Sequence, residues 1–136
     1  MIILKKVLLE IKSTVGACKP ESGGMLGEKN GIICEFYFDN GNSTDSEYAP
    51  NVNVLNRVLE KWRNDGISFA GILHSHPNDQ RLMSYNDEES ARSISDSVAL
   101  NKELYFPILT FNDGDIVITS YKINNDIIEA DSLLIL

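Results

Sequence analysis

Both histidines of the 136-residue chain lie in one tripeptide, His74-Ser75-His76, at the end of the apolar run Gly71-Ile72-Leu73. Ser84 and Asp87 follow closely. Side chains two apart on a strand point to the same side of it. A strand ending here therefore aims His74 and His76 at one point and turns Ser75 away. Pro77 has no N–H to donate and ends the ladder. A helix opening near Ser84 carries Asp87 in its first turn, well placed to return as a third ligand. Two imidazole nitrogens and a carboxylate oxygen suit Zn2+ at about 2.0–2.2 Å, and three protein ligands leave a fourth position for water, as in catalytic sites. The expected cofactor is one Zn2+ per chain, held by His74, His76 and Asp87. Water on such an ion ionises at a pKa of about 7 and becomes a usable nucleophile.

Ser84 has a second reading. Ser-x-x-Asp before a helix resembles a capping box, with Ser84 as N-cap and Asp87 reaching back to it. The two readings coexist, because Ser84 can cap the helix while facing the metal.

The elements that must position these residues follow from apolar spacing. Leu4, Val7, Leu8, Ile11 and Val15 form a helical stripe, broken by Gly16 and Pro20. Residues 31–39, GIICEFYFD, read as a strand. Residues 41–50 are polar loop. Residues 53–66 form a helix with Leu55, Val58, Leu59 and Trp62 on one face, stopping at Gly66. Residues 68–76 are a short buried strand and 77–83 a loop. The next helix runs from near Ser84 to about Leu100, with Ala91, Ile94 and Val98 inward. Residues 103–111 and 115–123 flank Asn112-Asp113-Gly114, which predicts a hairpin. Residues 126–136 form a last strand, whose apolar end could instead pair with another subunit. Helices and strands alternate, then strands follow one another. That order predicts one α/β domain, a mixed β-sheet with packed helices.

Composition narrows the classes. The net charge of -8 and pI near 4.6 argue against nucleic acid, whose phosphates would be repelled. No apolar run approaches the roughly 20 residues of a membrane span, and the lysine-interrupted N-terminus has no signal-peptide pattern. Cys18 and Cys34 form no Cys-x-x-Cys pair and read as two buried thiols. A reduced, cytoplasmic protein is expected.

His-Ser-His-Pro followed by Ser84 and Asp87 resembles the JAMM (MPN+, Mov34/JAB) zinc metalloprotease family. Its signature is a Glu, then His-x-His, seven residues, Ser, two residues and Asp. The spacing from His76 to Ser84 fits without adjustment. Residues 19–27, KPESGGMLG, resemble the family's Pro-Glu-x-x-Gly-x-Leu-x-Gly segment and put Glu21 in the place of its upstream Glu. The likeness follows element order along most of the chain and is closest to small prokaryotic members. Many relatives carry Pro just before the motif Ser, where this chain has Leu82-Met83.

The resemblance implies a single JAB/MPN domain over residues 1–136, cytidine-deaminase-like in fold. It implies that Glu21 shuttles a proton and that Ser84 helps hold an oxyanion, with Gly23, Gly24 and Gly27 letting the backbone turn closely around the site. The implied activity is zinc-dependent hydrolysis of an amide bond after the C-terminal tail of a ubiquitin-like or sulfur-carrier protein. A groove beside a strand edge could take such a tail by strand addition. The chain is too short for the long insertions with which eukaryotic members grip two linked ubiquitins. Two alternatives stand beside this: a non-catalytic MPN-type scaffold, and a zinc hydrolase of another small amide or peptide.

Overall fold

The computed structural model describes residues 1–39, 44, 47–98 and 102–136. Nine strands and three helices follow in the order β1 (Ile2–Ile3), α1 (Lys5–Ser13), β2 (Gly23–Lys29), β3 (Ile32–Asp39), α2 (Val52–Asn64), β4 (Ser68–Ser75), α3 (Tyr85–Ser97), β5 (Leu104–Tyr105), β6 (Ile108–Asn112), β7 (Asp115–Asn124), β8 (Ile127–Asp131) and β9 (Leu134–Ile135), with a short 3-10 turn at Val15–Ala17. The sheet order is β5-β7-β6-β4-β2-β3-β1-β9, with β8 paired to β7. The sheet is mixed. β4 runs antiparallel to β2 and parallel to β6, and β1 runs parallel to both β3 and β9.

Two cores sandwich this sheet. Val7 and Ile11 of α1 pack with Ile3, Leu26, Ile33, Leu73 and Leu109 in one cluster. Leu55 and Trp62 of α2 and Ala91 of α3 pack with Met25, Ile72, Leu104, Phe106 and Ile123 in the other. Neighbours along a strand divide between the clusters, Met25 from Leu26 and Ile72 from Leu73, as the period of two requires. The sheet is thus buried on both faces at β2 and β4.

The expected elements are present with differences, among them that the strand expected at 103–111 is split into β5 and β6. Residues 23–29 are a strand in the middle of the sheet, not a turn around the site. Gly23 is needed there because a Cβ would stand 2.5 Å from the Leu73 carbonyl oxygen and 2.9 Å from the Tyr48 ring. The last segment is two strands, and β9 pairs with β1 of its own chain. Helix α3 ends at Ser97, with Val98 already extended at its C-cap. The expected continuation to Leu100, like most of the polar loop at 41–50, lies outside the described residues. Cys18 and Cys34 are free thiols and only half-buried.

Three tight turns fix the strand register. Asn30-Gly31, Asp113-Gly114 and Asn125-Asp126 each place both residues at positive φ, between +50° and +84°. They join Lys29 to Ile32, Asn112 to Asp115 and Asn124 to Ile127. This is the two-residue hairpin turn whose twist matches that of the strands. No helix among the described residues is long and apolar enough to cross a membrane.

Candidate metal centre

The register of β4 decides what reaches the site. His74 lies opposite Gly23 on β2 and beside Ile108 on β6. Ladder-like bonds continue past the strand, where His76 N–H donates to the Leu109 carbonyl at 3.0 Å. Both imidazoles leave the β4 face that also carries Ile72, on the side of α3, and both are buried. Ser75, on the other face, locks β4 to the segment entering β2. Its N–H donates to the Ser22 carbonyl at 2.8 Å, and its Oγ accepts from the Ser22 N–H at 3.0 Å. That clamp holds Glu21, next in the chain, beside the histidines.

Helix α3 supplies the carboxylate. Ser84 is its N-cap, and the capping box is complete: Asp87 N–H donates to Ser84 Oγ at 3.0 Å, and Ser84 N–H donates to Asp87 Oδ2 at 2.9 Å. The box is more than a helix start. By gripping Asp87 Oδ2 it aims the carboxylate at the histidines.

The donor atoms converge. His74 Nε2 and His76 Nε2 lie 2.9 Å apart. Asp87 Oδ2 lies 3.0 Å from His76 Nε2, and Asp87 Oδ1 lies 3.3 Å from His74 Nε2. Glu21 Oε1 stands further off, 4.0 Å from His76 Nε2. The ligand atoms of Glu21, His74 and His76 lie within 4.8 Å of one another, a group that can hold a metal ion. His76 Nδ1–H donates to the Gln80 carbonyl at 2.8 Å. That bond fixes the ring and leaves Nε2 facing the cluster, as a metal-binding imidazole requires.

Electrostatics follow from this packing. Burial pushes Asp87 upward, but hydrogen bonds from His74 and His76 outweigh it and hold the carboxyl well below the usual range. The hydrogen bond to Asp87 raises His76, against an opposing effect of burial. Burial raises Glu21, with the two imidazoles working against it.

All five residues singled out in the sequence, Glu21, His74, His76, Ser84 and Asp87, line one cleft of about 690 Å3. The sequence reading did not foresee Glu47, Tyr48 and Pro50, which also line it. Tyr48 donates to Asp39 Oδ2 at 3.0 Å and is held protonated, well above its ordinary range, by burial and then by that carboxylate. Nothing local in the sequence marks these three, because a loop brings them to the site. Gln80 was hidden for another reason: its backbone, not its side chain, does the work.

No family model matches the chain, and no curated protein matches it by sequence. Solved structures match it in fold. Protein DSY2949 from Desulfitobacterium hafniense superposes with a TM-score of 0.77 at 21% identity, covering 100% of this chain and 93% of that one. AF2198, a JAB1/MPN domain protein from Archaeoglobus fulgidus, superposes with a TM-score of 0.57 at 18% identity, covering 100% of this chain and 99% of that one. The fold is that of a JAB1/MPN domain. In this JAB1/MPN fold the cluster of His74, His76 and the two carboxylates sits at the C-terminal end of β4, where α3 begins. Identities this low establish architecture, and the chemistry has to be read from the side chains.

Proposed function

We propose that this chain is a zinc-dependent metallohydrolase of the JAMM type, cutting an amide bond after the C-terminal tail of a ubiquitin-like or sulfur-carrier protein. The observation that carries the reading is the convergence on one cleft of His74 Nε2 and His76 Nε2, 2.9 Å apart, with one Asp87 oxygen 3.3 Å from the first and the other 3.0 Å from the second. Tetrahedral zinc with ligands at about 2.0–2.2 Å sets its donors about 3.4 Å apart. The donor chemistry and spacing therefore suit zinc with little adjustment. Asp87 is the natural third ligand because it is the closer carboxylate, and Glu21 stands one step back.

Held by His74, His76 and Asp87, zinc would supply Lewis acidity and would lower the pKa of water toward about 7. Glu21 accepts the proton of the attacking water and returns it to the departing amine. Burial of its carboxyl supports that exchange. Ser84 accepts the Asp87 N–H through its oxygen, so its hydroxyl hydrogen stays available to the carbonyl oxygen as charge develops there. The clamp between Ser22 and Ser75 and the capping box keep these groups in register without involving the substrate. The substrate class is supported by the likeness of the motif residues to the JAMM signature.

The test incubates zinc-loaded protein with ubiquitin-like and sulfur-carrier proteins extended past their C-terminal tails, read by mass spectrometry. Cleavage at the tail is expected, and Glu21→Gln should lower it by about 10²- to 10⁴-fold while keeping zinc and fold. Cleavage by Glu21→Gln at the wild-type rate would remove Glu21 from proton transfer. A zinc-loaded protein that cuts no amide would instead be a binding scaffold of this fold.

A further inference from the structure

The sheet ends on an unguarded edge. β9 lies last in the strand order, and among the described residues no strand pairs with its outer side. The Leu134 and Leu136 N–H groups donate to the Met1 and Ile3 carbonyls at 2.9 and 2.8 Å, so these two residues turn their backbone toward β1. Backbone groups alternate sides along a strand. The N–H and C=O of Leu133 and Ile135 therefore face away from the sheet. Edges of this kind are ordinarily blunted by a charge, a proline or a bulge. β8, an edge strand paired with β7, carries the exposed Glu129. Residues 133–136 read Leu-Leu-Ile-Leu, and Leu134, Ile135 and Leu136 are 56%, 49% and 57% exposed. An apolar row runs in from this edge. Leu134 stands beside Ile2, and Ile2 beside Ile32. Their neighbours Ile3 and Ile33 face the other way and are buried with α1. Leu134, Ile2 and Ile32 point away from α1 and belong to neither core cluster.

The outward groups suit one occupant, a second copy of the same edge. Laid antiparallel about a two-fold axis at Leu134, Leu133 faces Ile135 of the second copy, and Ile135 faces its Leu133. Residues opposed in this way exchange both N–H···O=C bonds, so the pairing uses every outward group of Leu133 and Ile135. Leu134 falls on the axis as the close pair without hydrogen bonds, about 4.5 Å from its counterpart at Cα. The two apolar rows join, Ile32-Ile2-Leu134 meeting Leu134-Ile2-Ile32 across the axis. No charged residue lies in the paired stretch 132–136, so no like charges are opposed there. The contact is isologous and closes at two copies. We propose that the chain forms a two-fold dimer by antiparallel pairing of β9 with β9 of a second copy, one sheet running through both. The dimer is independent of the metallohydrolase reading, because β9 stands four strand spacings from β4, about 19 Å away.

The test is sedimentation equilibrium of the full chain over a range of concentrations. The contact is short and falls at the low end of interface sizes, below about 1,200 Å2 in total, so the dimer should dissociate at about 1–100 µM. Leu134→Lys opposes two ammonium groups on the axis. Ile135→Pro removes an N–H that has no partner among the described residues, at an edge position that tolerates proline. Each should weaken the dimer by about 10-fold or more, and Ile127→Lys on β8 should leave it unchanged. In a chain carrying Cys18→Ser and Cys34→Ser, Leu134→Cys should form an intermolecular disulfide on mild oxidation, since about 4.5 Å between Cα atoms lies within disulfide range. Ile127→Cys should not. Circular dichroism reports the fold of each variant, and if Ile135→Pro unfolds, Leu134→Lys and the disulfide decide. A chain that stays monomeric throughout, or a dimer that Leu134→Lys leaves intact, would overturn the proposal. Cross-linking of Ile127→Cys as readily as Leu134→Cys would do the same.

Discussion

Ser84 stands where structural and chemical roles meet, and three substitutions separate them. In Ser84→Ala the oxygen that accepts the Asp87 N–H at 3.0 Å is lost. The reciprocal bond, Ser84 N–H to Asp87 Oδ2 at 2.9 Å, uses the backbone and survives. The carboxylate therefore stays aimed at His74 and His76, and zinc content should not change. Loss of an N-cap of this kind costs about 0.5–2 kcal/mol, which for a chain of this size lowers Tm by about 3–5 °C per kcal/mol. If the hydroxyl also meets the developing oxyanion, kcat falls by about 100-fold or more. A loss of a few degrees cannot produce that, because nearly all molecules remain folded at 25 °C. Ser84→Asn and Ser84→Asp restore a good cap and the lost stability. Ser84→Asp adds a negative charge at the lip of a cleft that already holds Glu21 and Asp87, so its turnover should fall below that of Ser84→Ala. The assay is turnover per zinc-loaded, folded molecule, with Tm measured in parallel. A Ser84→Asp protein with full zinc and wild-type turnover would show that the serine serves the helix alone.

Other outcomes follow from the same geometry. Gly71 has φ +138°, and a Cβ there would stand 1.7 Å from the Tyr105 carbonyl oxygen. Gly71→Ala should therefore cost about 3 kcal/mol or more, measured by urea unfolding, and a loss under 1 kcal/mol would mean that β5 is not held so closely. In metal-free protein, His76 should titrate above its ordinary 6.5 because of its hydrogen bond to Asp87. A raised folded pKa gives stability that is complete below the unfolded value and is lost as pH rises through the folded one. Asp87→Asn should lower the His76 value in an NMR titration and flatten that pH dependence. A wild-type His76 value at or below 6.5 would contradict the pairing.

What was legible in the sequence depended on how locally each feature is encoded. His74, His76, Ser84 and Asp87 were readable because strand period and helix capping are short-range rules, and the structure brings all four to one cleft. Glu21 could be picked out only through the likeness of KPESGGMLG to a known segment. A carboxylate in a loop carries no signal until a distant strand is set beside it, here by the bonds between Ser22 and Ser75. The glycines of β2 misled for a physical reason. They read as turn residues, yet they permit close approach of flanking strands in a sheet packed on both faces, and the Asn30-Gly31 hairpin was the clue to their strand. The two-residue strands β1 and β9 are too short to show any period. Ala91 read as inward-facing and Ile72 lay in a strand read as buried, and both are buried. That Ile72, Ala91 and Phe106 lie along the same cleft as the histidines is a fact of packing that sequence spacing does not carry.

The most direct measurement is metal content of the purified chain and of its His74→Ala, His76→Ala double variant, by mass spectrometry of the metal after dialysis. The two imidazole nitrogens lie 2.9 Å apart and each lies 3.0–3.3 Å from an Asp87 oxygen, so the wild-type chain should hold about one zinc. The double variant should hold none. Stoichiometric metal in the double variant, or a wild-type chain that stays empty when zinc is supplied, would contradict the metal centre.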